Sequence, residues 1–158
     1  MSFNVADDAL ILNVGDQFIR SEQKKIRAAQ VEVKSRNSLV TYVDKQSEQM
    51  LVRALTPLIA GAGFITEEET TTLTGEHYNW VIDPLDGTTN FIHGIPCFAV
   101  SIGLLRDGIP VLGVIYEVNL DECFYAWEGS KAWMNQTEIR VSAAARLEDS
   151  LIATGFPY

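Results

Sequence analysis

The sequence predicts an α+β fold in which two N-terminal helices pack on a mainly antiparallel β-sheet, and three observations carry that expectation. Apolar residues recur at helical spacing from about Val5 to Leu58, and beyond Phe64 the runs become short, β-branched and aromatic, as strands require. Asp107-Gly108 then joins two of those runs as a hairpin turn. Consecutive hairpins build antiparallel sheets, whereas a doubly wound parallel fold needs a crossover between strands.

Taken in order, Leu10, Ile11, Val14, Phe18 and Ile19 fall on one face of a helix from about Val5 to Val33. Asp7 and Asp8 stand early in it, where the helix dipole favours anions, and Gly15 costs it about 1 kcal/mol relative to alanine. After KSRNS, the stretch LVTYVDKQSEQMLVRALTPLIAGAG sets Thr41 three residues before Asp44, the pattern of a capping box. Met50, Leu51, Ala54, Leu55 and Leu58 follow on one face of this second helix. Pro57 ends or kinks it, and Gly61 and Gly63 close the segment. The strand-like runs are FIT, WVI, FAVSIGLL, IPVLGVIYEV, CFYAW and IRVS, with VNLDE marking a second reversal. There is no internal repeat.

At 158 residues, with 47% hydrophobic and 21% charged composition, one domain with a substantial core is expected. A net charge of −9, from 21 acids against 12 bases, disfavours nucleic acid and anionic membranes as partners. The opening MSFNVADDALILNV lacks a cationic leader, and no apolar run approaches the roughly 20 residues of a membrane span. A soluble, cytoplasmic protein is expected. Cys97 and Cys123 lie far apart in apolar surroundings without CxxC spacing and read as buried reduced thiols.

The stretch WVIDPLDGTTNF drives an apolar run into Asp83, fixes the backbone at Pro84, and adds Asp86 before a glycine and two threonines. TEEET, upstream, offers Glu67, Glu68 and Glu69 directly after another strand-like run. Two carboxylates about 4 Å apart repel by about 4 kcal/mol at an effective dielectric of 20, and a divalent cation reverses the sign of that cost. An all-oxygen donor set selects Mg2+ or Mn2+ over zinc, and Mg2+ is the expected ion. Gly87, Thr88, Thr89 and Asn90 supply backbone approach, hydroxyls and amide N–H groups suited to phosphate. A Gly- and Asx-rich turn joining two strands is the bland alternative for the same residues.

WVIDPLDGTTNFIHGIPCFAVSIGLL resembles the first signature of the inositol monophosphatase family along its whole length. LVTYVDKQSE, FITEEET and the closing TGFPY resemble further blocks of that family, in the right order. The resemblance implies a Mg2+-dependent, lithium-sensitive phosphomonoesterase with two or three ions, acting on a small phosphorylated metabolite such as inositol 1-phosphate. It implies that Glu67 and Asp83 ligate a first metal together with the Leu85 carbonyl, and that Asp83 and Asp86 share a second. Gly87 and Thr88 would hold the phosphate, and Thr88 with Asp44 would orient and deprotonate the attacking water, with Glu67 counted among the catalytic residues. Lys34 matches a basic position on a loop between the first two elements. His93 reads as structural, and neither it nor His77 has a triad around it.

Family members are often dimers, so a homodimer is possible. They also run further and carry a second signature, a Trp-Asp pair followed by small residues, which does not occur here. Residues 1–158 are therefore expected to form the N-terminal, metal-binding part of the layered αβ sandwich, with the C-terminal domain absent and activity low. Two rival readings remain. In one, the chain binds metal or phosphate without catalysis. In the other it is a haloacid-dehalogenase-like phosphatase, whose acids are separated by one residue where Asp83 and Asp86 are separated by two.

Overall fold

The computed structural model describes residues 18–23, 25, 31–35 and 38–154. Its element order is α1 (Arg20–Gln23), β1 (Val31–Ser35), β2 (Ser38–Thr41), α2 (Tyr42–Leu55), β3 (Gly63–Thr66), β4 (Tyr78–Asp86), α3 (Thr88–Ile92), β5 (Ala99–Arg106), β6 (Ile109–Glu117), β7 (Glu122–Trp127), β8 (Ala132–Met134) and β9 (Thr137–Ile139). Strands β3 to β9 form one seven-stranded sheet in sequential order, and β1 and β2 pair as a separate antiparallel ribbon. The α+β class is as expected.

Most of the long N-terminal helix expected from Val5 lies outside the described residues. Its expected end does not hold, because Val31–Ser35 is strand, paired with β2 from Val31↔Thr41 to Ser35↔Ser38. β-Branched Val31 and Val33 alternate with Glu32 and Lys34 there, a period-2 pattern that overrides a helical reading. Lys34 thus sits in a strand rather than a loop, and its side chain, like that of Thr41, lies outside the described residues.

Helix α2 ends at Leu55, and Pro57 sits in the single 3₁₀ turn that follows. Its buried stripe is Val43, Asp44, Ser47, Glu48, Leu51 and Leu55. Met50 and Leu58, expected on that face, are 36% and 39% exposed. The stripe is polar towards the N-terminus and apolar towards the C-terminus. Leu51 and Leu55 join the core of Trp80, Ile82, Ile102 and Leu104, while Asp44 and Glu48 are carried into the interior near the ends of β3 and β4.

Every neighbouring pair in the large sheet is antiparallel except β3 and β4, which run parallel from Gly63↔Asn79 to Thr66↔Ile82. Parallel strands need a return connection. Residues 67–77 make it without a helix, tied by Phe64 N–H to the Leu73 carbonyl at 2.8 Å and by Gly75 N–H to Asn79 Oδ1 at 3.0 Å. Gly63 and Gly75 meet where this return crosses β3. The hairpin at Asp107-Gly108 is as expected, with positive φ at both residues (51° and 79°). Asn135, at φ 53°, turns the β8–β9 hairpin; the expected strand IRVS overlaps it only at Ile139, where β9 ends, and residues 140–142 are not strand.

Cys123 is buried and Cys97 is exposed, both as free thiols. The correction at Cys97 follows from β5 beginning only at Ala99, which leaves Cys97 in the connection from α3.

A Cβ at Gly63 would stand 1.9 Å from the Gly75 nitrogen and 2.4 Å from Asn79 Oδ1. Backbone cannot yield by that much, so Gly63→Ala is expected to destabilise the chain by roughly 3 kcal/mol or more, read as a lowered urea midpoint. A loss below about 1 kcal/mol would show that the crossing is not fixed.

Candidate functional site

Three backbone features bring the predicted site residues together. The first is the parallel register. One step beyond the last β3–β4 pair, Thr66↔Ile82, Glu67 stands level with Asp83, and Glu67 N–H donates to the Ile82 carbonyl at 3.3 Å. The second is an irregularity in β4, which runs through Pro84 to Asp86 rather than stopping at Asp83. Asp83 pairs with Ser101 and Asp86 with Ala99, so β4 carries one residue more than its partner across this step. In a regular strand, residues three apart face opposite sides; a one-residue bulge restores them to the same side. Ser101 and Ala99 share the face opposite the core residues Val100 and Ile102, and so Asp83 and Asp86 do as well.

The third feature is α2. The Thr88 hydroxyl lies 3.0 Å from Asp44 Oδ1 and 3.0 Å from the Leu85 carbonyl, and its hydrogen can be given to either. Asp44 is only 3% exposed, so its carboxyl is held inside the fold against Thr88. One helical turn on, Glu48 is fully buried and accepts from Glu68 N–H at 2.7 Å, Thr70 N–H at 2.8 Å and the Thr70 hydroxyl at 2.7 Å. Sequence reasoning missed Glu48. The i, i+4 spacing of Asp44 and Glu48 on a stripe continued by Leu51 and Leu55 was the available signal.

Gly87 begins α3 with φ 94°, and a Cβ there would stand 2.9 Å from the Cys97 carbonyl, so both conformation and space require glycine. Asn90 Nδ2 donates to the same carbonyl at 2.7 Å, and Phe91 packs edge-on to Phe98 with ring centroids 5.3 Å apart. These contacts fix Gly87 and Thr88 next to Asp86. His93 caps the end of α3, and His77 lies 2.9 Å from Asp107 beside the β5–β6 hairpin; neither belongs to this cluster.

Burial, then the charge of Glu67, pushes the Asp83 carboxyl up to about 7, with the Leu85 N–H opposing and Asp86 adding to the rise. Asp83 and Glu67 also share a hydrogen bond. Glu67 and Asp86 are exposed, and among the described residues no three His, Cys, Asp or Glu side chains are already gathered around one ion position. The arrangement is an abutting pair with a third acid on the same face, rather than a closed cage. Its donors are all carboxylate or carbonyl oxygens, and its central pair carries an electrostatic penalty that a hard dication removes, so the residues fit Mg2+.

Residues 4–158 match the model of the inositol monophosphatase family. Among curated proteins, an inositol-1-monophosphatase of Mesorhizobium japonicum is 40% identical over 85% of this chain and 51% of its own length. A protein of Neisseria meningitidis named putative Nus factor SuhB is 38% identical over 87% of this chain and 56% of its own. Among solved structures, the extragenic suppressor protein suhB of Bartonella henselae superposes with a TM-score of 0.81 at 38% identity, covering 88% of this chain and 54% of that one. The chain spans about half the length of the relatives it matches. The closing TGFPY falls largely outside the described residues.

With its carboxyl raised, Asp83 lowers stability as pH climbs. Below about 4 it is protonated in both folded and unfolded states; between about 4 and 7 the unfolded chain releases the proton first; above about 7 the full penalty applies. Asp83→Asn keeps the acceptor for Leu85 N–H and a donor towards Glu67. In a chelator, and discounted for partial exposure, the variant is expected to be roughly 1–2 kcal/mol more stable than wild type at pH 8 and unchanged at pH 4. Equal melting temperatures at pH 8 would contradict the burial and pairing described.

Proposed function

The chain belongs to the inositol monophosphatase family, and from that premise we propose that it carries the metal- and phosphate-binding part of a Mg2+-dependent phosphomonoesterase acting on inositol 1-phosphate or a related small monoester. The observation that supports this reading most is the Glu67–Asp83 carboxyl pair with Asp86 on the same face of β4.

Glu67, Asp83 and Asp86, with the Leu85 carbonyl, would hold two or three ions. When bound, Mg2+ supplies Lewis acidity at the phosphoryl group and makes water acidic enough to attack near neutral pH. The chain's own residues do the rest. Gly87 and Thr88 offer backbone and hydroxyl groups to the phosphate. Thr88 Oγ, with its hydrogen given to Asp44, keeps its lone pairs for a water proton, and Asp44 receives the Thr88 hydrogen in turn. Asp44, withdrawn from solvent, also holds the hydroxyl in place. Phosphoryl transfer needs mostly positioning and charge neutralisation, which explains why no Cys, Ser or His nucleophile is called for. Absence of a nucleic-acid partner, expected from the net charge, stands as a proposal beside the relative named as a Nus factor.

A second reading, binding without turnover, draws on the coverage of about half the relatives' length. One experiment separates the two. Mn2+ binding is followed by electron paramagnetic resonance while phosphate release from inositol 1-phosphate is assayed with Mg2+, EDTA and Li+. Slow release that requires Mg2+, stops in EDTA and is inhibited by Li+ is expected, and Thr88→Val should lower it about 100-fold while leaving Mn2+ affinity within threefold. Mn2+ binding with no release would favour the second reading; no Mn2+ binding would remove both.

A further inference from the structure

We infer that Glu48 is a positioning residue for the candidate metal site: its buried carboxylate holds the 68–70 loop so that Glu67 faces Asp83, and thereby sets affinity for a divalent cation. The inference rests on the metal-binding reading above. Both Glu48 oxygens are engaged, Oε2 by Glu68 N–H at 2.7 Å and Oε1 by Thr70 N–H and Oγ1 at 2.8 and 2.7 Å. The two N–H groups flank Glu69, whose φ of 53° is uncommon for a residue with a side chain. Backbone N–H groups on either side of a left-handed residue form a concave anion site, and here the anion is Glu48 of α2.

Glu67 is held on both sides by this arrangement, through its own N–H on β4 and through the N–H of Glu68 on α2. Three consecutive glutamates next to Asp83 would drive the loop away from β4 by like-charge repulsion. Donors locked onto a fully buried carboxylate oppose that movement without using any group that faces the ion. Partners one layer behind metal ligands typically change affinity by 10–100-fold when altered.

The test uses the 158-residue chain as wild type, Glu48→Gln and Thr70→Val, with Mn2+ titrated by electron paramagnetic resonance and amide exchange followed by NMR. In Glu48→Gln one oxygen becomes an NH2, which faces either Glu68 N–H or the Thr70 donors, so one half of the clamp is lost. Mn2+ affinity should fall at least about 10-fold and exchange at Glu68 or Thr70 should accelerate, at temperatures where the variant is folded. Thr70→Val removes only the hydroxyl donor; a two- to fivefold fall is expected, and this variant decides the matter if Glu48→Gln does not fold. Loop exchange accelerated with Mn2+ affinity within twofold of wild type would make the clamp purely structural and overturn the inference. A wild type that does not bind Mn2+ would instead overturn the metal reading on which it rests.

Discussion

Two carboxyl groups in hydrogen-bond contact, those of Glu67 and Asp83, are the constraint on which the rest of this structure turns. Left to themselves they would separate, because two neighbouring acids repel and burial adds to the cost at Asp83. What keeps them together is backbone: a parallel strand pair that sets their level, and a return loop anchored at both ends. The helix α2 completes the support, with acids at successive turns that each hold a different part of the site.

That division of labour explains the mixed character of α2. A helix packed on a sheet normally buries an apolar stripe. Here the stripe changes character along its length, with leucines anchoring one end in the core and carboxylates at the other serving backbone and hydroxyl donors from β3 onwards. Buried charges without partners would be costly, and the donors from Glu68, Thr70 and Thr88 are what make Asp44 and Glu48 tolerable inside the fold. The apolar contacts of Leu51, Leu55, Trp80 and Ile82 then fix the helix against the sheet, so the polar end has little freedom to drift.

Much of this was legible in the residues alone. The order of strands followed from β-branched runs separated by turn chemistry, and Asp107-Gly108 and Pro57 acted locally as their types dictate. The acids of TEEET and DPLD were singled out because no packing argument accounts for them. What escaped the sequence depends on relations between distant segments. The parallel pairing of β3 with β4 is hidden because a return loop without a helix leaves no periodic trace. The β1–β2 ribbon escapes because Val31 to Val33 continue the expected first helix and Leu39 to Thr41 open the expected second, and five alternating residues are too few to outvote the long apolar pattern before them. Glu48 carries no local signal beyond its place among KQSEQ; only the converging donors reveal its role. Cys97 read as buried because its neighbours are apolar, although it lies in the connection before β5.

The irregular step between Asp83 and Asp86 has a further bearing on how such a chain tolerates change. It leaves the two ends of β4 out of phase, so that Leu85, 1% exposed, and Asp86 are assigned to interior and surface by a count of residues as much as by their chemistry. Excising a single position there would let the ladder with β5 close up seamlessly, and by backbone criteria the sheet would gain. The same excision would leave Asp83 and Asp86 two residues apart and still on one face, but it would remove the irregular step that lets the Leu85 N–H reach Asp83 and the Leu85 carbonyl reach Thr88. Strand length at this point is a functional variable, one that comparisons of residue identity alone would overlook.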